Sequence, residues 1–327
     1  MAAEKDQNTP PKSDYSAADI TVLTGIEAVR KRPGMYFGST KSMGQKGLFC
    51  EVLDNAIDEH LAGHVQTLRI DFHPIDGSWT ISDDGKGIPL ETSPRMLEAV
   101  FVQLHAGSAF DGHTPHVHTG RLGTGLAPAN AVSELLVVTV NRPSGRYEAI
   151  FRRGALQAPL QRVGDCTQSG TTIRTRPDME IFEEAPDLNE IEAHLTRVAH
   201  LNPGLRIEFC GRNLSQPGGL LTLAREHAVG PIADTLRVTG RAKEIDVDIA
   251  IVRDNRTSLT LAYSNHHEIE SGVVHETIEQ LLSYGPPAIV VATLMIQAPH
   301  YAGRTKDRLE MPEAGEAIRE VLLPALR

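Results

Sequence analysis

The sequence predicts an α+β protein of two domains, with a boundary near residue 217. Three observations carry that reading. The chain has 327 residues, 40% of them hydrophobic, enough to bury more than one core. In its first part, runs of strand character follow one another between segments of helical period. The composition then changes at "GRNLSQPGG", residues 211–219, a polar stretch punctuated by Pro and Gly.

The bulk composition closes several classes. Charged residues make up 23%, so the chain is not compositionally disordered. A net charge of −10 disfavours a surface that is basic all over and leaves a local basic groove open. Cys50, Cys166 and Cys210 are odd in number and widely spaced, against a disulfide framework and in keeping with a reducing cytoplasm. No apolar run of ~18 residues exists to cross a membrane. Residues 1–19 are polar and contain Pro, without the apolar stretch of a signal peptide, and read as a flexible N-terminal arm.

Along the chain, "ITVLTGIEAVRK" (20–31) predicts a short helix stopped by the turn residues of "RPGMYFG". Residues 47–62 predict a second helix. "TLRIDFH" and "SWTIS" predict two strands joined at "PIDG", and "DDGKGIP" a Gly-rich loop. Residues 95–105 read as helical, and the following stretch, rich in Gly and His, as a long loop. "LAPANAVSELL" predicts a helix with Pro128 in its first turn. "LLVVTVNR", "RYEAIFRRG", "APLQRVG" and "TTIRTRP" read as strands of a mostly antiparallel sheet, followed by a helix over 188–200. Beyond the boundary come a helix ("LLTLAREHA"), two strands ("IDVDIAIVR", "SLTLAYSN"), a helix ("VVHETIEQLLSYG"), a strand ("AIVVATLMIQAP"), and a loop running into a last helix.

The most informative stretch is "EVLDNAIDEHLAGH", residues 51–64. At ~100° per residue, Leu48, Phe49, Val52, Leu53, Ala56 and Ile57 cover one face, while Glu51, Asn55, Asp58 and Glu59 fall on the other. A solvated face explains such acids from this helix alone. A metal and nucleotide site also explains them. An Asn oxygen suits a hard cation such as Mg²⁺, and a Glu one turn earlier can orient water towards a phosphoryl group. Two further stretches bear on the choice. In "DDGKGIP", Asp83 and Asp84 cap a turn in which Gly85 and Gly87 permit close backbone approach, and a carboxylate there can accept the exocyclic amine of adenine. "TGRLGTG" precedes a predicted helix N-terminus, where N–H groups favour phosphate. Each alone reads better as a plain turn. Together, in this order, they are far more specific.

These stretches, with "VLTGIEAVRKRPGMYFGST", "LHAGSAFD", "QAPL", "SGTTIRTRPDMEIF" and "RTKDRL", resemble the ATPase region of the DNA gyrase B and topoisomerase IV B family, within the GHKL class of ATPases. The resemblance spans nearly the whole chain after residue 20. It implies a Bergerat ATPase sandwich over 20–217, followed by an α+β transducer domain over 218–327. It implies ATP and Mg²⁺ as cofactors, with Glu51 as the general base and Asn55 as the Mg²⁺ ligand. Asp83 matches the adenine-binding carboxylate, with Thr171 beside it, and Gly85 and Gly87 line the base pocket. Gly120, Gly123 and Gly125 match the lid around the phosphates, Lys306 the lysine that reaches the γ-phosphate, and Tyr15 and Ile20 an arm that crosses to a partner subunit. The implied partners are a second copy of the chain, DNA, and a gyrase A-like or other protein subunit.

The chain also departs from the family pattern. "TGRLGTG" stands for a lid close to "GGLHGVG", with Leu122 at the family's lid histidine and His116 at a lysine. Arg304 replaces a glutamine in "RTK", "SGVVH" (271–275) stands for "DGGTH", and Glu148 falls about where the family has an arginine at the pocket mouth. The family's Toprim domain would follow residue 327, so this chain is expected not to cleave DNA alone. Two functions follow from this pattern. One is the ATPase module of a type II topoisomerase, dimerising on nucleotide to close a gate on DNA. The other is a free-standing ATP-dependent switch acting through a protein partner. The histidines at 105, 113, 116 and 118 have no Cys nearby and match no standard zinc spacing, so a polar loop is the simpler reading. "RKR" at 30–32 reads as fixing local structure rather than binding nucleic acid.

Overall fold

The computed structural model describes residues 25–89, 99–104, 119, 126–302 and 307–326. The chain begins with a short helix α1 (Gly25–Lys31), a single helical turn α2 (Gly34–Phe37) and a long helix α3 (Ser42–Leu61). The segment expected to be a plain turn is thus partly helical, and Gly38 closes it in the left-handed region at φ 76°. Helix α3 starts five residues earlier than its period suggested, because two glycines let it pack closely. A Cβ at Gly44 would lie 2.0 Å from the Ser39 carbonyl oxygen. All six apolar residues assigned to its inner face are buried, joined by Gly44 and Gln45.

Strands β1 (Thr67–His73), β2 (Ser78–Asp83), β3 (Ser133–Arg142), β4 (Gly145–Arg152), β5 (Ala155–Gly164), β6 (Gly170–Pro177), β7 (Arg206–Phe209) and β8 (Arg212–Asn213) form one sheet, ordered β5-β4-β3-β6-β2-β1-β7-β8. It is antiparallel except between β1 and β7. "LAPANAVSELL" is helical only over α4 (Leu126–Ala131). The rest of that stretch enters β3, where ladders to both β4 and β6 outweigh the helical option for its leucines and valines. Ile81, Ile173, Val138 and Ala149 lie in register across four strands, all nearly inaccessible, and share a core with α3. Arg30, from the "RKR" run, donates to Ala131 O at 2.7 Å and pairs at 2.8 Å with Asp178, which is 1% exposed. That run therefore fixes the packing of α1 on α4.

Helix α5 (Leu188–Leu201) is capped by Asp187, whose carboxylate accepts from the Asn189 and Glu190 amides. It leads through β7 and β8 to α6 (Gly219–Glu226) and a second sheet. That sheet contains β9 (Asp234–Ala242), β10 (Ile245–Arg253), β11 (Leu259–Ser264), β12 (His267–Ile269) and β14 (Ile289–Met295), ordered β12-β11-β14-β10-β9. A small ribbon pairs β13 (Ser271–Gly272) with β15 (Arg308–Leu309), and helices α7 (Val273–Leu282) and α8 (Pro312–Leu322) complete the chain. The pattern of β10, "IDVDIAIVR", follows from what covers it. Ile245, Val247, Ile249 and Ile251 pack with Ala317, Ile318 and Leu322 of α8, while Ala250 and Val252, on the other face, pack with Leu220, Leu223 and Ala224 of α6. Asp246 and Asp248 occupy the part of that face outside the α6 cluster. No helix among the described residues is long and apolar enough to cross a membrane.

Candidate nucleotide site

Strand alternation puts Asp83 on the same sheet face as Ile81, the face covered by α3. Thr171, on β6 beside it, is 5% exposed. The Asp83 Oδ1 accepts from the Gly85 amide at 2.9 Å and from the Thr171 amide at 3.1 Å, which leaves Oδ2 to accept from a ligand. Burial pushes the Asp83 carboxyl from its ordinary 3.8 up to about 6, against the pull of those two amides, and the negative charges of Glu59 and Asp84 add to the rise. The neighbouring Asp84 has a different task. It accepts from the Gln66 and Thr67 amides at 2.8 and 2.9 Å, pinning the start of β1, and these bonds hold its carboxyl below the usual range despite partial burial.

The glycines flank this carboxylate for steric reasons. A Cβ at Gly85 would meet Val65 Cγ2 at 2.9 Å, and one at Gly87, with φ 74°, would lie 2.6 Å from the Asn141 carbonyl oxygen. Gly170 was not singled out from sequence. Its φ is 147°, and a Cβ there would sit 2.1 Å from Asp83 O. Its place directly before Thr171 was the available signal.

On α3, Glu51, Asp54, Asn55 and Asp58 are half-buried, and only Glu59 of this acidic set is exposed. The face is therefore not freely solvated. Asp58 Oδ1 accepts from Thr119 N at 2.6 Å and from its hydroxyl at 2.7 Å. Thr119 is 1% exposed and directly precedes Gly120 in the chain. Among the expected site residues, Asp83, Gly85 and Thr171 are joined by hydrogen bonds, Gly87 lies in the same loop, and Glu51 and Asn55 lie on α3, the helix that shares a core with that sheet. Gly120, Gly123, Gly125, Tyr15, Ile20 and Lys306 lie outside the described residues, as do Leu122, Arg304 and the histidines at 105, 113, 116 and 118.

One expectation is corrected. Glu148 pairs with Thr139, and Thr139 with Thr172, in the row opposite to Ala149 and Ile173, so it projects from the sheet face away from Asp83. A cation that does bind the Gly-rich loop is Arg142. Its Nη1 donates to the Gly87 and Ile88 carbonyls, both at 3.1 Å. The residues fit an adenine nucleotide: a half-buried carboxylate with one oxygen to spare among the described residues, glycines where side chains would clash, and an acid–amide pair on the facing helix. That pair, Glu51 and Asn55, supplies oxygen donors of the kind Mg²⁺ prefers.

Comparison with known proteins bears on the family and the fold. Residues 45–181 match the family described as histidine kinase-, DNA gyrase B- and HSP90-like ATPases. The DNA gyrase B protein of Thermotoga maritima is 32% identical over 96% of this chain and 56% of its own length. That of Thermus thermophilus is 33% identical over 95% and 56%. The chain thus spans about half the length of these curated relatives. Among solved structures, the ATPase domain of Thermus thermophilus gyrase B, in complex with an aminocoumarin, superposes with a TM-score of 0.77 at 27% identity, covering 92% of this chain and 88% of that one. The topoisomerase IV ATP-binding domain of Francisella tularensis shares the fold, with a TM-score of 0.70 at 23% identity over 93% and 92%. A GHKL sandwich followed by a second α+β unit, with a gyrase-type sequence across both, makes this chain a member of the DNA gyrase B family.

Proposed function

We propose that this chain binds and hydrolyses ATP and is the nucleotide-dependent dimerisation module of a type II DNA topoisomerase. The observation that carries the reading is Asp83: a half-buried carboxylate on the sheet face covered by α3, held through one oxygen by the Gly85 and Thr171 amides, beside a loop where Cβ atoms do not fit. Oδ2 accepts the adenine amine. Glu51 orients a water for in-line attack and takes its proton, and Asn55 offers its amide oxygen to Mg²⁺, which neutralises phosphate charge when bound. Lys306 supplies an ammonium to the γ-phosphate, a group ADP lacks, so ATP alone draws the second domain in. Residues 1–19, with Tyr15, and Ile20 then order against a second copy. The proposed 20–217 and 218–327 division is supported by the cores, whose buried residues run from Val29 to Phe209 in one and from Leu220 to Leu322 in the others. DNA and a gyrase A-like protein are the partners this reading implies.

Calorimetric titration with ATP and GTP, together with a phosphate-release assay, tests it. ATP binding and hydrolysis with GTP rejected is the expected result. Equal affinity for both bases removes the role given to Asp83.

A further inference from the structure

The turn between β11 and β12 reaches out of the second sheet and ends against α3. Ser264 pairs with His267, leaving Asn265 and His266 as a two-residue loop with φ 47° and 67°. Positive φ at both positions is the mark of a type I′ turn, which non-glycine residues adopt at some cost. Here the turn is held from behind. Asn265 Nδ2 donates to Ile296 O at 2.7 Å, the Ile296 amide donates to Asn265 Oδ1 at 2.8 Å, and the Asn265 amide donates to Leu294 O at 2.9 Å. The tip is a braced finger rather than a slack loop.

What the finger touches is tied to α3, the helix that carries Glu51 and Asn55. His267 Nε2 donates to Thr119 O at 2.6 Å. The same Thr119 is clamped to Asp58 of α3 through its amide and hydroxyl, and its hydroxyl also lies 3.4 Å from Asp54 O. At the base of the turn, Tyr301 donates from its hydroxyl to Ser264 O and Oγ at 3.2 and 3.0 Å, five residues before Lys306. Beside the tip, Arg197 of α5 pairs with Glu268 at 2.6 Å. His266 is packed deeply enough for burial to hold its imidazole down to about 4. Thr119 and His267 stand 148 residues apart, and the site helix and second sheet meet through them.

We propose that His267, at the tip of this braced turn, is a positioning residue. It holds Thr119 against Asp58 and so fixes the second sheet relative to the helix carrying Glu51 and Asn55. This rests on the ATPase reading above. It adds a residue that acts through the Thr119 carbonyl.

The test compares the parent chain with His267→Ala and His267→Gln, the latter placing an amide donor near the lost Nε2–H. Hydrogen exchange is read first, without nucleotide. His267→Ala should speed exchange at Thr119 and across 126–131 by about 3- to 10-fold, the range of one neutral hydrogen bond, and His267→Gln should restore most protection. Affinities for ADP and a non-hydrolysable ATP analogue are read second. His267→Ala should weaken the analogue by a similar factor while leaving ADP within twofold, with recovery in the Gln variant. If all three proteins exchange and bind alike, the positioning role is overturned while the ATPase reading stands. Equal loss for ADP and analogue, unrescued by Gln, also overturns it, since that is the mark of general loosening. A parent chain that binds neither nucleotide overturns the ATPase reading and this role with it.

Discussion

Replacing Asp83 by Asn separates two consequences of the same burial. Without nucleotide the carboxyl is pushed from 3.8 to about 6, so ionising it costs folding free energy. A displacement of that size corresponds to ~3 kcal/mol once the group is fully ionised. The sign follows from the direction. With the folded value raised, the unfolded chain loses its proton first as pH rises. Stability relative to a neutral side chain is therefore intact below pH 3.8, falls between pH 3.8 and about 6, and stays low above. Asp83→Asn should match the parent at pH 4 and exceed it by ~1–3 kcal/mol at pH 8, because the Asn oxygen still accepts from Gly85 and Thr171.

Binding moves the other way. The Asn variant can present an N–H₂ where the adenine amine needs an acceptor, and loss of a charge-assisted bond costs ~1.5–3 kcal/mol, or about 10- to 150-fold in ATP affinity. In the parent, affinity should be flat above pH 6 and fall towards tenfold per unit below it. Urea denaturation and calorimetric titration across pH 4–8 measure both quantities. A variant both no more stable and no weaker in binding than the parent at pH 8 refutes the argument, as does a parent whose affinity ignores pH.

Two further outcomes bear on the mechanism. Glu51→Gln should bind ATP like the parent and hydrolyse it ~10²–10⁴-fold more slowly, measured by phosphate release, because the residue directs water without holding nucleotide. Light scattering should show monomers without nucleotide or with ADP and dimers with a non-hydrolysable ATP analogue. Lys306→Ala or removal of residues 1–19 should suppress that dimer, with ADP affinity by calorimetry almost unchanged.

Where packing repeats with a simple period, the sequence was legible. The α3 inner face emerged residue by residue, since 3.6-residue spacing and burial report the same thing. Helix α4 was overextended because Val and Leu in "VSELL" suit a strand equally, and only the partners β4 and β6 decide. Strand β9 was missed because an edge strand, mostly exposed along "DTLRVTGRA", carries little apolar alternation. The site residues drawn from local motifs could be named from sequence. The Arg142 contact and the Thr119–His267 bond could not, since each depends on register or on chain segments far apart.

Register also ties the site to the core. Ile81 and Asp83 are two apart on β2, so one alternation sends both towards α3, and a slip by one residue would turn both outward. Packing of Ile81 against Ile173 and the placement of Asp83 beside Thr171 are therefore a single structural choice. Ser82, between them, faces the opposite side and accepts from the Thr172 hydroxyl at 2.9 Å. The two neighbours should respond differently. Ile81→Ala removes a side chain that is 4% exposed and should cost ~2–5 kcal/mol in urea denaturation. It should also weaken ATP binding, because the end of β2 is no longer held against the helix. Ser82→Ala should shift stability by ~1 kcal/mol or less and leave affinity unchanged. If Ile81→Ala lowers stability yet binds ATP like the parent, the carboxylate is placed by its loop alone, and register is not what positions it.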